Sequence, residues 1–328
     1  MSAQDIDFEC PSCHASLLEH QNKSLVCPVC KMKYPFSAGL PILINNQNSV
    51  FSVEDYLSSN SYGGDDYGTQ TERMSGLRKL YRRFGNSLIH HSIGRHYFSG
   101  SDAIKYIFDT VKKPPRILVI GAGEVRYNLP AEIVYTDVAF GKDLSCICDA
   151  HDIPFPTGSF DGVIAVAVFE HLADPYRCAS EVWRVLKPSG YVYSVTPFLE
   201  PVHMGAYDFT RFTPLGHRRL FRWFDEVRSG IALGPGTVSA WVGQHLLCSL
   251  SDNKHYRRLA KLAGLLITLP LKYLDYLTCR QQSAFDAAGG VYFLGRRRED
   301  PISDRHLIGL YRGGFSRPQL HPAKPASS

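Results

Sequence analysis

Four consecutive aliphatic residues, Ile117-Leu118-Val119-Ile120, run straight into Gly121-Ala122-Gly123. An apolar run without alternation predicts a strand buried on both faces, and glycines at its end let the backbone turn sharply and approach a ligand. The pattern recurs downstream. Residues 133–136 end at Asp137, residues 144–148 at Asp149, residues 163–168 just before Glu170-His171, and residues 191–195 form a further apolar segment. Strands joined by helix-length segments predict an α/β fold built on a doubly wound, mostly parallel sheet, whose ligands sit at the carboxyl ends of the strands. Every unusual residue just named falls at such an end.

The 328 residues suffice for one full α/β core and a small appendage. A hydrophobic content of 44% with 20% charged residues fits a globular chain, and a net charge of +5 is too small to demand a nucleic-acid partner. The longest apolar tract, 259–277, is interrupted by Lys261, Pro270, Lys272 and Asp275, which excludes a spanning helix.

Four of the nine cysteines form two C-x-x-C pairs, Cys10/Cys13 and Cys27/Cys30, thirteen residues apart. Two such knuckles close a tetrahedral thiolate site with no open position, which predicts a structural Zn²⁺ in a small ribbon over 1–44. No leader is read at Met1-Ser2-Ala3-Gln4-Asp5, so the expected setting is a reducing, cytoplasmic one. Tyr34-Pro35-Phe36 followed by Gly39-Leu40-Pro41-Ile42-Leu43 resembles the zinc-ribbon activator proteins of tRNA methyltransferases.

Further motifs carry a second resemblance. Asp149-Ala150-His151-Asp152-Ile153-Pro154-Phe155-Pro156, Ser159-Phe160-Asp161, Glu170-His171-Leu172-Ala173-Asp174-Pro175 and Arg184-Val185-Leu186-Lys187-Pro188-Ser189-Gly190 follow one another in order. Over about a hundred of the 328 residues the chain resembles class I S-adenosylmethionine-dependent methyltransferases of the type 11 kind, with a Rossmann-like fold. The resemblance implies S-adenosylmethionine as cofactor. Gly121 and Gly123 admit it, and Asp137 is placed for its ribose hydroxyls. The Asp149 carboxylate, with the Ala150 and His151 backbone, would receive the adenine; the alternative for Asp149 is a helix cap. Two departures stand out: Glu124-Val125-Arg126 replaces a third glycine, and Pro130 cuts the first crossover short.

Two histidines are candidates for catalysis. His171 follows the fourth strand, as a general base or as a structural residue. His203 lies in the loop after the fifth strand, where 203–213 resembles a signature found in methyltransferases of bacterial polysaccharide genes. Asp208 and Arg211 in that loop either meet the substrate or pair to hold the loop. Residues 45–72 read as a linker, 73–299 as the methyltransferase domain with helices before and after it, 230–236 as a loop, and 300–328 as a disordered tail. The basic stretch 73–97 (Arg73, Arg78, Lys79, Arg82, Arg83, Arg95) reads as an anion-binding patch or as a solvated helix face. The apolar segment 246–278, flanked by Lys254, Arg257, Arg258 and Lys261, reads as a cap or as a membrane-surface element. The expected activity is methyl transfer to a hydroxyl or amine of a small-molecule or saccharide acceptor. RNA is the alternative acceptor, and a non-catalytic scaffold is the alternative class. The oligomeric state is open.

Overall fold

A computed structural model describes residues 6–20, 24–58 and 97–316. The basic stretch, apart from Tyr97, lies outside the described residues, as do 59–72 of the expected linker and 317–328 of the expected tail.

The N-terminal module is a set of short antiparallel strands: β1 (Leu18–His20), β2 (Ser24–Val26), β3 (Lys33–Ser37) and β4 (Leu40–Leu43). Ala38 and Gly39 join β3 to β4 as a two-residue turn, both with positive φ (49° and 82°), the conformation that matches the twist of a tight hairpin. Next come α1 (Val53–Ser58) and α2 (Gly100–Val111), the latter opened by a reciprocal Ser99/Asp102 capping box. The remainder of the chain then runs β5 (Arg116–Ile120), β6 (Glu132–Asp137), β7 (Cys146–Cys148), β8 (Phe160–Val166), α3 (Pro175–Val185), β9 (Leu186–Pro197), α4 (Pro214–Leu220) and β10 (Phe224–Leu233). It closes with α5 (Pro235–Cys248), α6 (Lys254–Tyr273), α7 (Asp275–Thr278), β11 (Gly290–Arg297) and α8 (Asp304–Gly309).

All these strands form one sheet in the order β1-β2-β3-β4-β7-β6-β5-β8-β9-β11-β10. From β4 to β9 the pairing is parallel, and β11 enters antiparallel between β9 and β10. The strand order turns between β5 and β8, which opens the ligand crevice at their carboxyl ends. The ribbon is no separate bead: β4 pairs with β7 through Ile42↔Ile147 and Leu43↔Cys148, so its last strand extends the main sheet.

The two faces of β5 feed two cores. Leu118 and Ile120 join α3 residues Val182 and Val185 and the ribbon residues Phe8, Leu25 and Tyr34. Ile117 and Val119 join Ala103, Ile104 and Ile107 of α2 and Tyr56 of α1. Burial on both sides explains why this strand is a continuous apolar run. By contrast, no helix forms in the connections 121–131, 138–145 and 149–159, so the crevice is walled by irregular loops.

Three segments differ from the sequence reading. Residues 224–233 form the edge strand β10, where a loop was expected at its end; charged Asp225, Glu226 and Arg228 suit an edge facing water. In the expected tail, Ile302 and Leu307 are buried and Ser303 caps α8. The ordered start of the expected linker bears on the site below. The helices α5 and α6 pack on one another as a hairpin, and Leu246, Leu250, Leu259, Leu266 and Ile267 point to solvent. Among the described residues no helix is long and apolar enough to cross a membrane.

Candidate active site

The four ribbon cysteines converge, with their sulfurs all within 4.8 Å of one another. Cys10 Sγ lies 3.5 Å from Cys30 Sγ, and Cys13 Sγ 3.4 Å from Cys27 Sγ. These separations far exceed a disulfide bond (about 2.05 Å) and approach the edge of a tetrahedron with Zn–S bonds of about 2.3 Å. Around them, the Cys30 amide donates to Cys27 Sγ (3.4 Å) and the Tyr34 hydroxyl contacts Cys10 Sγ (3.1 Å), the outer contacts that orient thiolate ligands. The donor set fits a four-coordinate metal ion.

At the end of β5 the two glycines have φ values of 61° and 47°. A side chain at Gly121 would strike Val168, and the space over Gly123 is open. The Gly123 amide donates to Asp137 Oδ2 (2.7 Å) and the Ala139 amide to Oδ1 (2.8 Å). Burial raises the Asp137 carboxyl above its ordinary range against those amide bonds. Gly121, Gly123 and Asp137 therefore line one crevice, and the altered loop 124–131 is tied back by the Arg126 guanidinium, which donates to the Gly123 carbonyl (3.0 Å). This is a fit for a ribose-bearing cofactor: an open backbone cradle beside a buried acid.

Asp149 sits at the end of β7, on the far side of β6. Its Oδ1 accepts from the His151 amide (3.0 Å) and from His151 Nδ1 (2.5 Å), and its Oδ2 accepts from Ser49 Oγ (2.5 Å). His151 Nε2 accepts from the Asp174 amide (2.9 Å), which places the ring proton on Nδ1. Burial pushes the Asp149 carboxyl up, but the His151 and Ser49 hydrogen bonds outweigh it and hold the group below its ordinary value. Next to it, Asp152 accepts from Asn45 (3.1 Å) and Asn48 (3.0 Å) and pairs with Arg177. Residues 45–49, expected as linker, thus brace the two acids of the β7 loop. Asn, Ser and Gln read as loop residues by composition; the pairing of β4 with β7 is what brings them to these carboxylates.

The chemically richest cluster lies where β8 ends. Ala167 adopts a left-handed conformation (φ 55°), and a 3₁₀ turn, Phe169–His171, follows. The Glu170 carbonyl accepts from the Phe209 and Thr210 amides (2.8 and 3.1 Å), which docks the loop after β9 onto this turn. His203 is thereby carried to Glu170, with Nε2 3.6 Å from Oε1; His171 Nε2 is 3.7 Å from the same oxygen. The two rings meet edge to face with centroids 4.8 Å apart. Glu170 is 0% exposed, yet among the described residues neither of its carboxylate oxygens has a hydrogen-bond partner. His171 Nδ1 donates to the Tyr207 carbonyl (2.8 Å), so its Nε2 presents a lone pair to the cluster. The Glu170 carboxylate raises His203 above the ordinary imidazole value, against the opposing effect of burial.

Asp208 and Arg211 hold the loop. Arg211 makes a two-pronged pair with Asp208 and donates to the Glu200 carbonyl (3.0 Å) and the Pro201 carbonyl (3.2 Å). Asp208 Oδ2 also accepts from the His203 amide (2.8 Å). Burial pushes the Asp208 carboxyl up, and the Arg211 guanidinium more than offsets it. The sequence reading had weighed the histidines and passed over Glu170, the residue on which both converge; its place directly before His171 at a strand end was the available signal.

A cleft of about 630 Å³ opens beside the cluster, lined by Glu200, His203, Trp241, Gln244, Arg258 and Lys261. One wall is the β9 loop and the other is the α5–α6 hairpin. A separate cavity of about 510 Å³ is lined by Phe198, His217, Phe285 and Tyr292 and contains none of the three clustered residues.

Known proteins resemble this chain in sequence and in fold. The family model described as "Methyltransferase domain" matches residues 130–194. Cycloartenol-C-24-methyltransferase of Arabidopsis thaliana is 37% identical over 68 residues, 19% of this chain and 20% of that protein. The chain thus spans about a fifth of the length of the curated relative it matches. Among solved structures, a complex containing the Haloferax volcanii Trm112 methyltransferase activator aligns at 17% identity over 69% of this chain and 98% of that one, with a TM-score of 0.42. Haemonchus contortus phosphoethanolamine N-methyltransferase 2 with S-adenosyl-L-methionine aligns at 15% identity over 69% and 61%, with a TM-score of 0.36. Residues 130–194, from the loop before β6 into β9, are thus similar in sequence to a methyltransferase domain.

Proposed function

We propose that this chain is an S-adenosylmethionine-dependent methyltransferase acting on a hydroxyl or amine of a small-molecule or saccharide acceptor, with a structural Zn²⁺ on Cys10, Cys13, Cys27 and Cys30. The observation that carries the reading is the convergence of Glu170, His171 and His203 at the end of β8, with His203 lining the 630 Å³ cleft. When bound, S-adenosylmethionine supplies an electrophilic methyl group on a sulfonium sulfur. Asp137 accepts from the ribose hydroxyls, Gly121 and Gly123 let the cofactor lie against the backbone, and Asp149 shapes the adenine end through Ala150 and His151. The acceptor lies in the cleft, and its nucleophilic atom is held by His203 and the Glu170 carboxylate. His203 would take the acceptor proton and Glu170 would stabilise the resulting imidazolium, while the methyl group passes from the bound cofactor and the electron pair of the broken carbon–sulfur bond stays on sulfur. Positioning supplies most of the rate, which is why Arg211 and Asp208 are spent on loop order.

Trp241, with Glu200, Gln244, Arg258 and Lys261 set in an otherwise apolar cleft, would suit a saccharide or a similar small acceptor. The exposed leucines of α5 and α6, beside Lys254, Arg257 and Lys261, support peripheral contact with an anionic membrane surface as the setting in which that acceptor is met. The test is calorimetry with S-adenosylmethionine, followed by methyl transfer to sugars, with and without anionic vesicles, and to RNA across a salt series. Asp137→Ala should weaken cofactor binding by about 1–3 kcal/mol. His203→Ala should lower turnover by about 10²–10⁴-fold while leaving cofactor binding unchanged. No cofactor binding at millimolar concentration would overturn the enzyme reading in favour of a scaffold. Steeply salt-dependent RNA binding that activity requires would make RNA the acceptor.

A further inference from the structure

Glu170 presents a problem in electrostatics. A carboxylate with no exposure and no donor on either oxygen is costly, since an ion removed from water needs a compensating charge or hydrogen bond. What faces it makes matters worse. His171 is fixed by the Tyr207 carbonyl with its proton on Nδ1, so a nitrogen lone pair points toward Glu170 Oε1 across 3.7 Å. Two acceptors facing one another call for something positive between them, a protonated His203 or a bound cation. On the other side of His203, Arg211 neutralises Asp208, and among the described residues no arginine forms an ion pair with Glu170 or Glu200. Arg258 and Lys261 line the same cleft but stand on the exposed side of α6.

We propose that Glu170, His171 and His203 bind a divalent transition-metal ion, separate from the cysteine-bound one, through one carboxylate oxygen and the two Nε2 atoms. The three donor atoms already lie within 4.8 Å of one another. The 3.6 and 3.7 Å edges are a few tenths longer than those spanned by ligands about 2.1 Å from one ion, so small side-chain shifts would close the set. Two imidazoles with one carboxylate select first-row ions such as Zn²⁺, Mn²⁺ or Fe²⁺ over Mg²⁺, which prefers an all-oxygen shell. The outer contacts are mixed. His171 donates its other ring proton to a backbone carbonyl, and His203 Nδ1 faces the carboxylates of Glu200 at 3.8 Å and Asp208 at 3.7 Å together with Arg211 Nη2 at 3.5 Å, so its outer shell carries both signs of charge. Three protein ligands leave positions open toward the cleft, as in catalytic sites and unlike the closed cysteine set.

The ion's role in catalysis rests on the proposed methyl transfer; its binding does not. In that reaction the ion would take an acceptor hydroxyl as ligand and lower its proton affinity, and Glu200, which lines the same cleft, would receive the released proton in place of a free His203. The experiment uses the full chain with its cysteine site loaded with zinc. Mn²⁺ is titrated in by calorimetry and by the loss of its free-ion electron-resonance signal, without cofactor or acceptor present. One further equivalent per chain is expected. Glu170→Gln and His203→Asn should each weaken it by at least tenfold while keeping one zinc per chain and an unchanged melting curve without Mn²⁺. Asp208→Asn, outside the ligand set, should retain the site. Wild-type protein that takes up no second equivalent overturns the inference, as does a second equivalent untouched by both ligand variants. Either result would leave the methyltransferase reading to its own cofactor test, with His203 as an unligated base.

Discussion

His217 sits on α4 with its ring wedged among Phe212, Phe221 and Phe293 and its Nε2 3.1 Å from Ser194 Oγ. Burial, helped by the neighbouring Arg218 charge, depresses its pKa to about 3. Unfolded, the same ring titrates near its ordinary value of about 6.5. Between these values the unfolded chain binds a proton that the native protein refuses, so stability falls as the pH drops below about 6.5. The slope from this group is about 1.4 kcal/mol per pH unit, close to 2 kcal/mol by pH 5. Denaturation of wild type and His217→Gln between pH 7 and pH 5 should therefore show the gap between them narrowing on acidification. Parallel curves would assign the acid sensitivity to other groups. The contrast with His203 is one of surroundings: both imidazoles are partly or wholly removed from water, but a carboxylate faces only the second.

At the scale of elements, the α5–α7 assembly that walls the cleft depends on one buried acid. Gly234 precedes α5 and offers no side-chain cap, and Asp275 of α7 takes that place. Its carboxylate accepts from the Gly236 amide (2.7 Å), the Thr237 amide (3.1 Å) and Thr237 Oγ1 (2.6 Å), and it is 0% exposed. Asp275→Ala would strand those donors and cost about 1–3 kcal/mol, with the greater loss in amide-exchange protection falling on α5 to α7. Protection lost evenly over the chain would contradict that assignment. This cap could not be read from the chain, because thirty-eight residues separate Thr237 from its partner. What could be read was local. The apolar run of β5, the Asp174 cap with Pro175 behind it, and the two cysteine knuckles each announce themselves within a few residues. Glu170, Ser49 and β10 did not, since their roles arise from chain segments that meet only in the folded sheet.

At the scale of the whole molecule, the cysteine centre and the cofactor crevice are mechanically continuous. The metal-binding knuckles lead through β4, paired with β7, to Asn45, Asn48 and Ser49 on the acids of the β7 loop. Phe8 also packs against Phe155 in the core under that loop, the rings tilted with centroids 5.6 Å apart. Removing the ion with a chelator, or changing Cys27→Ser, should thus weaken cofactor binding by about tenfold or more as well as unfold the ribbon. Calorimetry after zinc removal checks this, and unchanged cofactor affinity would show the two halves to be independent. A sheet edge is a surface that other strands can join, and here β4 covers the edge of β7 from within the same chain. Supplied in this way, the covering strand is present at an effective concentration set by its own chain connection and not by the abundance of a second protein. Dilution therefore leaves that edge closed. Unfolding of the ribbon on metal loss would instead uncover it, and the metal-free chain should then show concentration-dependent self-association in sedimentation.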